Sequence, residues 1–218
     1  MAAGAARALG QLALLARPRH RPRLDADQGL RRVAAQRPAA SVRLVREFEQ
    51  LVERGVKTGS FDDYTFIWWD LRPHPKLGTI ELRVCDGQTR LENVAGLVAL
   101  TQSLVATLAD RYERDGALPI QPRTLIDENK WRAARYGLET ELIDLERDEV
   151  RPAREAALTL VELAEPAARR LGCEDELVEI ERLCARGGGA EEQRRVEEEQ
   201  GSLLAVAKWL AEETVGTM

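Results

Sequence analysis

Trp68-Trp-Asp-Leu-Arg-Pro-His-Pro-Lys-Leu-Gly-Thr-Ile-Glu-Leu-Arg-Val-Cys-Asp86 holds two runs of β character around a turn. Tyr64 to Arg72 is aromatic and β-branched and reads as a strand. Pro73-His-Pro-Lys-Leu-Gly78 carries turn chemistry. Thr79 to Asp86 alternates strictly and reads as a second strand. With Arg72 and Thr79 flanking the turn, Asp70 faces Glu81 and Trp68 faces Arg83. Side chains alternate along a strand, so Trp68, Asp70, Arg72, Glu81 and Arg83 share one face. Ile67, Trp69, Leu71, Ile80, Leu82 and Val84 share the other, which needs burial under helices.

The polar face has two readings. One is a cross-strand charge ladder on a solvated sheet, worth about 0.2–1 kcal/mol per pair. The other is a site for a metal-bound polyphosphate. Glu81 and Asp70 are hard oxygen donors suited to Mg²⁺, and Arg83 and Arg72 are guanidinium forks suited to phosphate oxygens. Phosphoryl transfer needs this mixture, because its catalysis is positioning and charge neutralisation.

Helical periodicity surrounds the hairpin. Val42, Leu44, Val45, Phe48, Leu51 and Val52 mark an amphipathic helix ending near Gly55. Thr89-Arg-Leu-Glu92 reads as a capping box for a helix ending near Gly116. Asp127 to Gly137 reads as a short helix with Asp127 as N-cap, and Asn129, Arg132 and Tyr136 on one face. Leu138 to Asp144 is a strand or a turn. A helix from Pro152 to Leu171 stops at Gly172, and another runs from Glu174 to Arg186. A last helical stretch starts near Ala190 and breaks at Gly201-Ser202. Glu191 to Gln200 is expected to be solvated, with Leu203, Leu204, Val206, Ala207 and Leu210 facing inward beyond it. The expected class is therefore α+β, an antiparallel hairpin packed against several helices.

Charge divides the 218 residues unevenly. The net charge is −5, yet residues 1–46 hold ten Arg and two Asp, so +8 sits in the head and −13 in the body. An acidic body repels phosphates and argues against a nucleic-acid-binding domain. Residues 1–42 are Ala-, Arg- and Pro-rich and are expected to be disordered. Their composition fits a shifted start or frame in a GC-rich gene, a transit peptide, or a basic tail. No run of about 18 apolar residues occurs, so no membrane span is expected. Three scattered Cys and two His fit neither a disulfide framework nor a zinc site, and reduced thiols point to the cytoplasm.

Trp68 to Asp86, continued by Thr89 and Glu92, resembles a signature of the carboxylate–amine ligases, also called glutamate–cysteine ligase type 2. Glu128-Asn-Lys-Trp-Arg-Ala-Ala-Arg-Tyr-Gly137 resembles the same family's second C-terminal signature. The resemblance runs over roughly residues 43–215. It implies a glutamine-synthetase-like fold and ATP-dependent amide-bond formation through an acyl phosphate, with glutamate and cysteine or a related amine as substrates. It implies Glu81, with Asp70, as Mg²⁺ ligands. Arg83 and Arg72 then act on the phosphate or the acyl phosphate, and Lys130, Arg132 and Arg135 bind the cofactor ATP. The family's N-terminal half brings a Gly-x-Glu-Glu-type strand and a His-containing strand that this sequence lacks. Residues 43–218 thus resemble the C-terminal half of a catalytic domain, and the chain alone is expected to be inactive. An unpaired sheet edge makes a second copy, or a separate N-terminal half, the expected partner. The competing expectation is a helical interaction module without catalysis.

Overall fold

The computed structural model describes residues 45–116 and 118–216. The expectation for residues 1–42 lies outside the described residues. Those described form two compact units, 45–84 and 85–216.

The first unit holds helix α1 (Val45–Lys57), a 3-10 turn (Tyr64–Phe66) and a hairpin of β1 (Leu71–His74) and β2 (Thr79–Leu82). Helix α1 ends at Lys57, two residues beyond Gly55 and near the expected end. Gly55 lacks the Cβ that would sit inside the Phe61 ring, 1.9 Å from Cζ, so the ring lies directly on the helix. Phe48, the buried centre of α1, meets Trp69 edge-on at 5.9 Å.

The hairpin is antiparallel, but its register differs from the expected one. Arg72 pairs with Glu81 and His74 with Thr79. The strand expected over Tyr64–Arg72 begins only at Leu71, and the second ends at Leu82 instead of Asp86. Pro73 and His74 lie in the strand, and the turn contracts to Pro75–Gly78, with Gly78 at φ 62°. Proline is tolerated in a two-stranded hairpin, where every strand is an edge. Because the slip is an even number of residues, each side chain keeps its face. The apolar face is only partly covered: Ile67 and Val84 are buried, while Ile80 at the tip is 69% exposed.

The second unit is built on α2 (Leu91–Asp115), α4 (Ala153–Leu171) and α5 (Glu174–Arg186), which pack on one another. Its remaining elements are α3 (Arg123–Tyr136), a 3-10 turn (Gly137–Glu139), β3 (Glu141–Asp144), β4 (Glu149–Pro152), α6 (Gly189–Gln200) and α7 (Leu203–Gly216). Leu97, Leu100 and Leu104 on α2, an alanine stripe on α4, and Leu177, Ile180 and Leu183 on α5 form the core. Gly96 allows the α2–α5 approach, since a Cβ there would stand 2.9 Å from Glu179 Cβ. Among the described residues, helix α2 alone is long and apolar enough to cross a membrane by length and composition, and 44% of its apolar window is buried in the fold.

Three local expectations are corrected here, and one open reading is settled. Thr89 is not a cap: the N-cap of α2 is Arg90, with no side-chain cap bond. Helix α3 starts at Arg123, ahead of the expected N-cap Asp127. Leu138–Asp144 resolves into a 3-10 turn and a strand that pairs with Glu149–Pro152 as a second hairpin. On α7 only Val206 is buried, and Leu203 and Leu204 are exposed. The glycine stops at 116, 137, 172 and 201 appear as expected, all at positive φ.

Glu179, at the α2–α5 crossing, carries a testable consequence. A hydrogen bond from Arg182 holds its carboxyl below the ordinary range; burial opposes this, and the Arg182 and Arg186 charges reinforce it. A depressed native pKa gives stability that is present above the unfolded value, near 4.5, and lost as pH falls through the native value. Arg182→Ala is expected to raise the pH of acid unfolding, read by circular dichroism. An unchanged acid midpoint would contradict the coupling.

Candidate functional site

Three charged side chains, Arg72, Glu81 and Arg83, meet on the polar face of the first hairpin. Arg72 forms an ion pair through Nη2 with Glu81, its cross-strand partner. Its Nη1 donates to the Thr65 carbonyl at 2.9 Å. Its Nε is buried and has no acceptor. Arg83 reaches the other Glu81 oxygen at 3.4 Å and lies 5.4 Å from the Trp68 ring centroid. The Trp68 indole N–H donates to the same Thr65 carbonyl at 3.1 Å, so the 3-10 turn positions both the aromatic and the guanidinium. Asp70 is buried, and its carbonyl accepts the Arg83 N–H at 2.8 Å.

The expected set Asp70, Arg72, Glu81 and Arg83 is therefore on one face, with different neighbours. Glu81 lies opposite Arg72, not opposite Asp70. A Glu81 side chain still 40% exposed is held between two guanidinium groups. His74, read from sequence as a turn residue, joins this face through the shifted register. Its ring stands edge-on to Tyr64 at 5.5 Å, and its Nδ1 is buried without a partner.

The donor set fits a share of a magnesium site. Mg²⁺ is usually held by one or two carboxylates together with substrate phosphates. Glu81 and Asp70 are donors of that kind, and the orphaned Arg72 Nε seeks an anionic acceptor beside them. Among the described residues no group of three or more His, Cys, Asp or Glu side chains is arranged to hold a metal.

Lys130, Arg132 and Arg135 lie on α3, in the other unit. Asn129 anchors this helix: its amide oxygen accepts the Ile143 N–H at 2.8 Å and its NH₂ donates to the Ile143 carbonyl at 2.9 Å. Arg132 is paired with Glu128 at 2.8 Å. Arg135 is exposed, with its guanidinium 5.9 Å from the Tyr136 ring centroid.

Sequence reasoning missed one partly buried charge cluster. Arg90 takes both Glu192 oxygens at 2.8 Å and one Glu213 oxygen at 2.7 Å, and lies 5.9 Å from the Trp209 ring centroid. Burial penalises the Arg90 charge, but its bonds to Glu192 and Glu213 outweigh that and raise its pKa. Glu192 is buried, contrary to the solvated face expected for residues 191–200. The spacing of Arg90, Glu192 and Trp209 along the chain gives no local signal of this contact. Burial also pushes the Cys85 thiol up to about 11, with Asp86 adding to it. Burial does the same at Cys184, to about 11, against an opposing effect of Arg154. Neither thiol is poised as a nucleophile.

The chain matches the sequence profile of glutamate-cysteine ligase family 2 over residues 35–208. It is 44% identical over 167 residues to "Putative glutamate--cysteine ligase 2-1" of Rubrobacter xylanophilus, covering 77% of this chain and 44% of that protein. A second protein of that organism, numbered 2-3 under the same name, is 48% identical over 168 residues, with the same two coverages. An Arthrobacter relative named as 2-1 is 46% identical over 159 residues, covering 72% of this chain and 41% of its own length. The chain thus spans less than half the length of these relatives. With the profile matched across most of its length, and both signature segments inside the matched region, the chain belongs to glutamate–cysteine ligase family 2.

Proposed function

We propose that the chain is the C-terminal part of an ATP-dependent carboxylate–amine ligase of glutamine-synthetase-like fold, acting in the cytoplasm on glutamate and on cysteine or a related amine. One observation carries the reading. Glu81 is held between Arg72 and Arg83, and the Arg72 Nε is left buried and unpartnered. A simple charge ladder has no use for that open donor.

In this reading the substrate carboxylate attacks the γ-phosphorus of ATP, ADP leaves, and a C–O–P acyl phosphate forms. The amine nitrogen then attacks the acyl carbon. The C–O bond to phosphate breaks, inorganic phosphate departs, and the nitrogen loses its proton. Arg72 and Arg83 hold the phosphoryl oxygens and offset their charge in both steps. Trp68 covers Arg83 and limits its motion. Mg²⁺, when bound through Glu81 and Asp70, supplies further charge neutralisation at the phosphates. On α3, Lys130, Arg132 and Arg135 serve ATP binding. The other ligands come from the family's N-terminal half or from a partner copy.

Residues 43–208 grafted into a full-length relative that turns over glutamate and cysteine are expected to support phosphate release requiring both amino acids. Chain 1–218 alone is expected to release none. A graft that is folded but silent, or phosphate release indifferent to the amine, would overturn the reading.

A further inference from the structure

Helix α2 is apolar on more sides than its own unit covers. Its inner stripe, with Leu97, Leu100 and Leu104, is buried where α2 packs on α4 and α5. A second stripe runs along the outside: Leu91, Val94, Val98, Val105 and Tyr112, each between 39% and 58% exposed. Leu91, Val98, Val105 and Tyr112 recur every seven residues, so they stand nearly in line along one side of the helix, over about 30 Å. From Asn93 to Ala109 the helix carries no charged residue. On the outer side Thr101 turns its hydroxyl back to the Leu97 carbonyl at 2.7 Å. A helix on the surface of a complete domain has a polar outer face, whereas one that is apolar all round belongs inside a larger core or a bilayer. The bilayer would require α2 to leave the bundle. Leu97, Leu100 and Leu104 would then leave the core, and Asn93 would lose the hydrogen bond it accepts from Arg186.

The size of the relatives points to the larger core. The match covers 44% of the Rubrobacter protein numbered 2-1, so more than half of that protein lies outside it. An obligate interface resembles a domain core cut open: apolar and free of charge at its centre, polar at its rim. The outer side of α2 has that pattern, with Glu92 at one end and Asp110, Arg111 and Glu113 at the other. We infer that the outer face of α2 is the seat of the remaining part of the family's catalytic domain, which covers Val98 and Val105 with an apolar face of its own. This rests on the proposed reading of the chain as the C-terminal part of such a domain. It gives that reading a surface: the missing part is held by a helix of the second unit, and not by the open sheet edge alone.

The test reads cysteine accessibility. Val98→Cys and Val105→Cys are made in chain 1–218 and in the full-length graft of residues 43–208, and each protein is labelled with a small maleimide. Mass spectrometry of the α2 peptide separates the new thiol from Cys85, Cys173 and Cys184, which lie outside that helix. Both positions are expected to label freely in the chain alone. In the graft they should label slower by about tenfold or more, because the reagent waits for local opening. Val98→Glu is the second variant. In the chain alone it should move the melting temperature by no more than about 2 °C, as surface substitutions do. In the graft it should lower it by about 5 °C or more, because the new charge is buried without a partner. Free labelling in the folded graft, slow labelling already in the monomeric chain, or equal melting shifts in the two proteins would each overturn the inference. Slowing that follows self-association in sedimentation assigns the face to a second copy, and slowing of the chain by phosphatidylcholine vesicles assigns it to a bilayer; either overturns it as well. None of these measurements reads turnover. A silent graft with a protected α2 rejects only the ligase chemistry, and an active graft whose α2 thiols label freely rejects only this seat.

Discussion

Glu81→Gln is expected to lower turnover of the grafted enzyme by about a hundredfold or more, the scale on which loss of a charge-stabilising group acts. The substitution keeps the size and one carbonyl oxygen of the side chain and removes its charge. Arg72 and Arg83 would then flank a neutral amide, and the hard-cation donor would be gone. Folding should barely change, because partly exposed ion pairs contribute about 0–1 kcal/mol. The charge-ladder reading of the same face expects a stability loss of the same small size, about 0.2–1 kcal/mol, and no specific effect on chemistry, so turnover is the discriminating readout. A graft carrying Glu81→Gln, assayed for phosphate release and for melting, separates the two. Near-normal turnover would remove Glu81 from the site. Arg83→Lys sharpens the result, since a point charge replaces a bidentate fork and should lower turnover while keeping the charge.

The polar face was legible in the sequence because period-two alternation survives an even register slip. Asp70, Arg72, Glu81 and Arg83 stay together in any register that differs by an even number of residues. Their cross-strand partners were not legible. Pro73 and His74 look like turn residues, and nothing local says that a two-stranded hairpin tolerates them in the ladder. The correction changes the chemistry, because it sets a guanidinium rather than a carboxylate opposite Glu81 and brings His74 onto the face. Helix stops were legible for a plain physical reason: glycines 116, 137, 172 and 201 reach positive φ without a Cβ clash. Long-range partners were not. Glu192 sits in a run of Glu, Gln and Arg that reads as solvated, yet it is buried against Arg90, 102 residues earlier. Leu203 and Leu204 read as core and are exposed. Polarity records what a residue prefers, while tertiary packing decides whether the partner is there.

The second hairpin shows the same limit and carries the largest stability effect expected in the chain. Strand β4 is only Glu149–Pro152, too short and too charged to be seen by alternation. It is held instead by Asp144, which is 1% exposed. Asp144 accepts the Glu146 N–H at 3.1 Å, closing the turn, and faces Arg151 at 3.5 Å and Arg147 at 3.4 Å. Arg151 is itself mostly buried and donates to Thr159 on α4 at 3.0 Å, so the carboxylate ties the hairpin to the core helix. Removing one partner of a buried pair leaves the other charge desolvated, at about 3–5 kcal/mol. Asp144→Ala should therefore lower the melting temperature by about 10 °C, given about 2–4 °C per kcal/mol at this chain length. Asp144→Asn, which keeps an acceptor for Glu146, should lose less. The double variant Asp144→Ala, Arg151→Met should recover part of the loss, because it removes the stranded guanidinium as well. Additive losses in that cycle, measured by thermal unfolding, would mean that Asp144 acts through the turn alone and that Arg151 stabilises the fold independently of it.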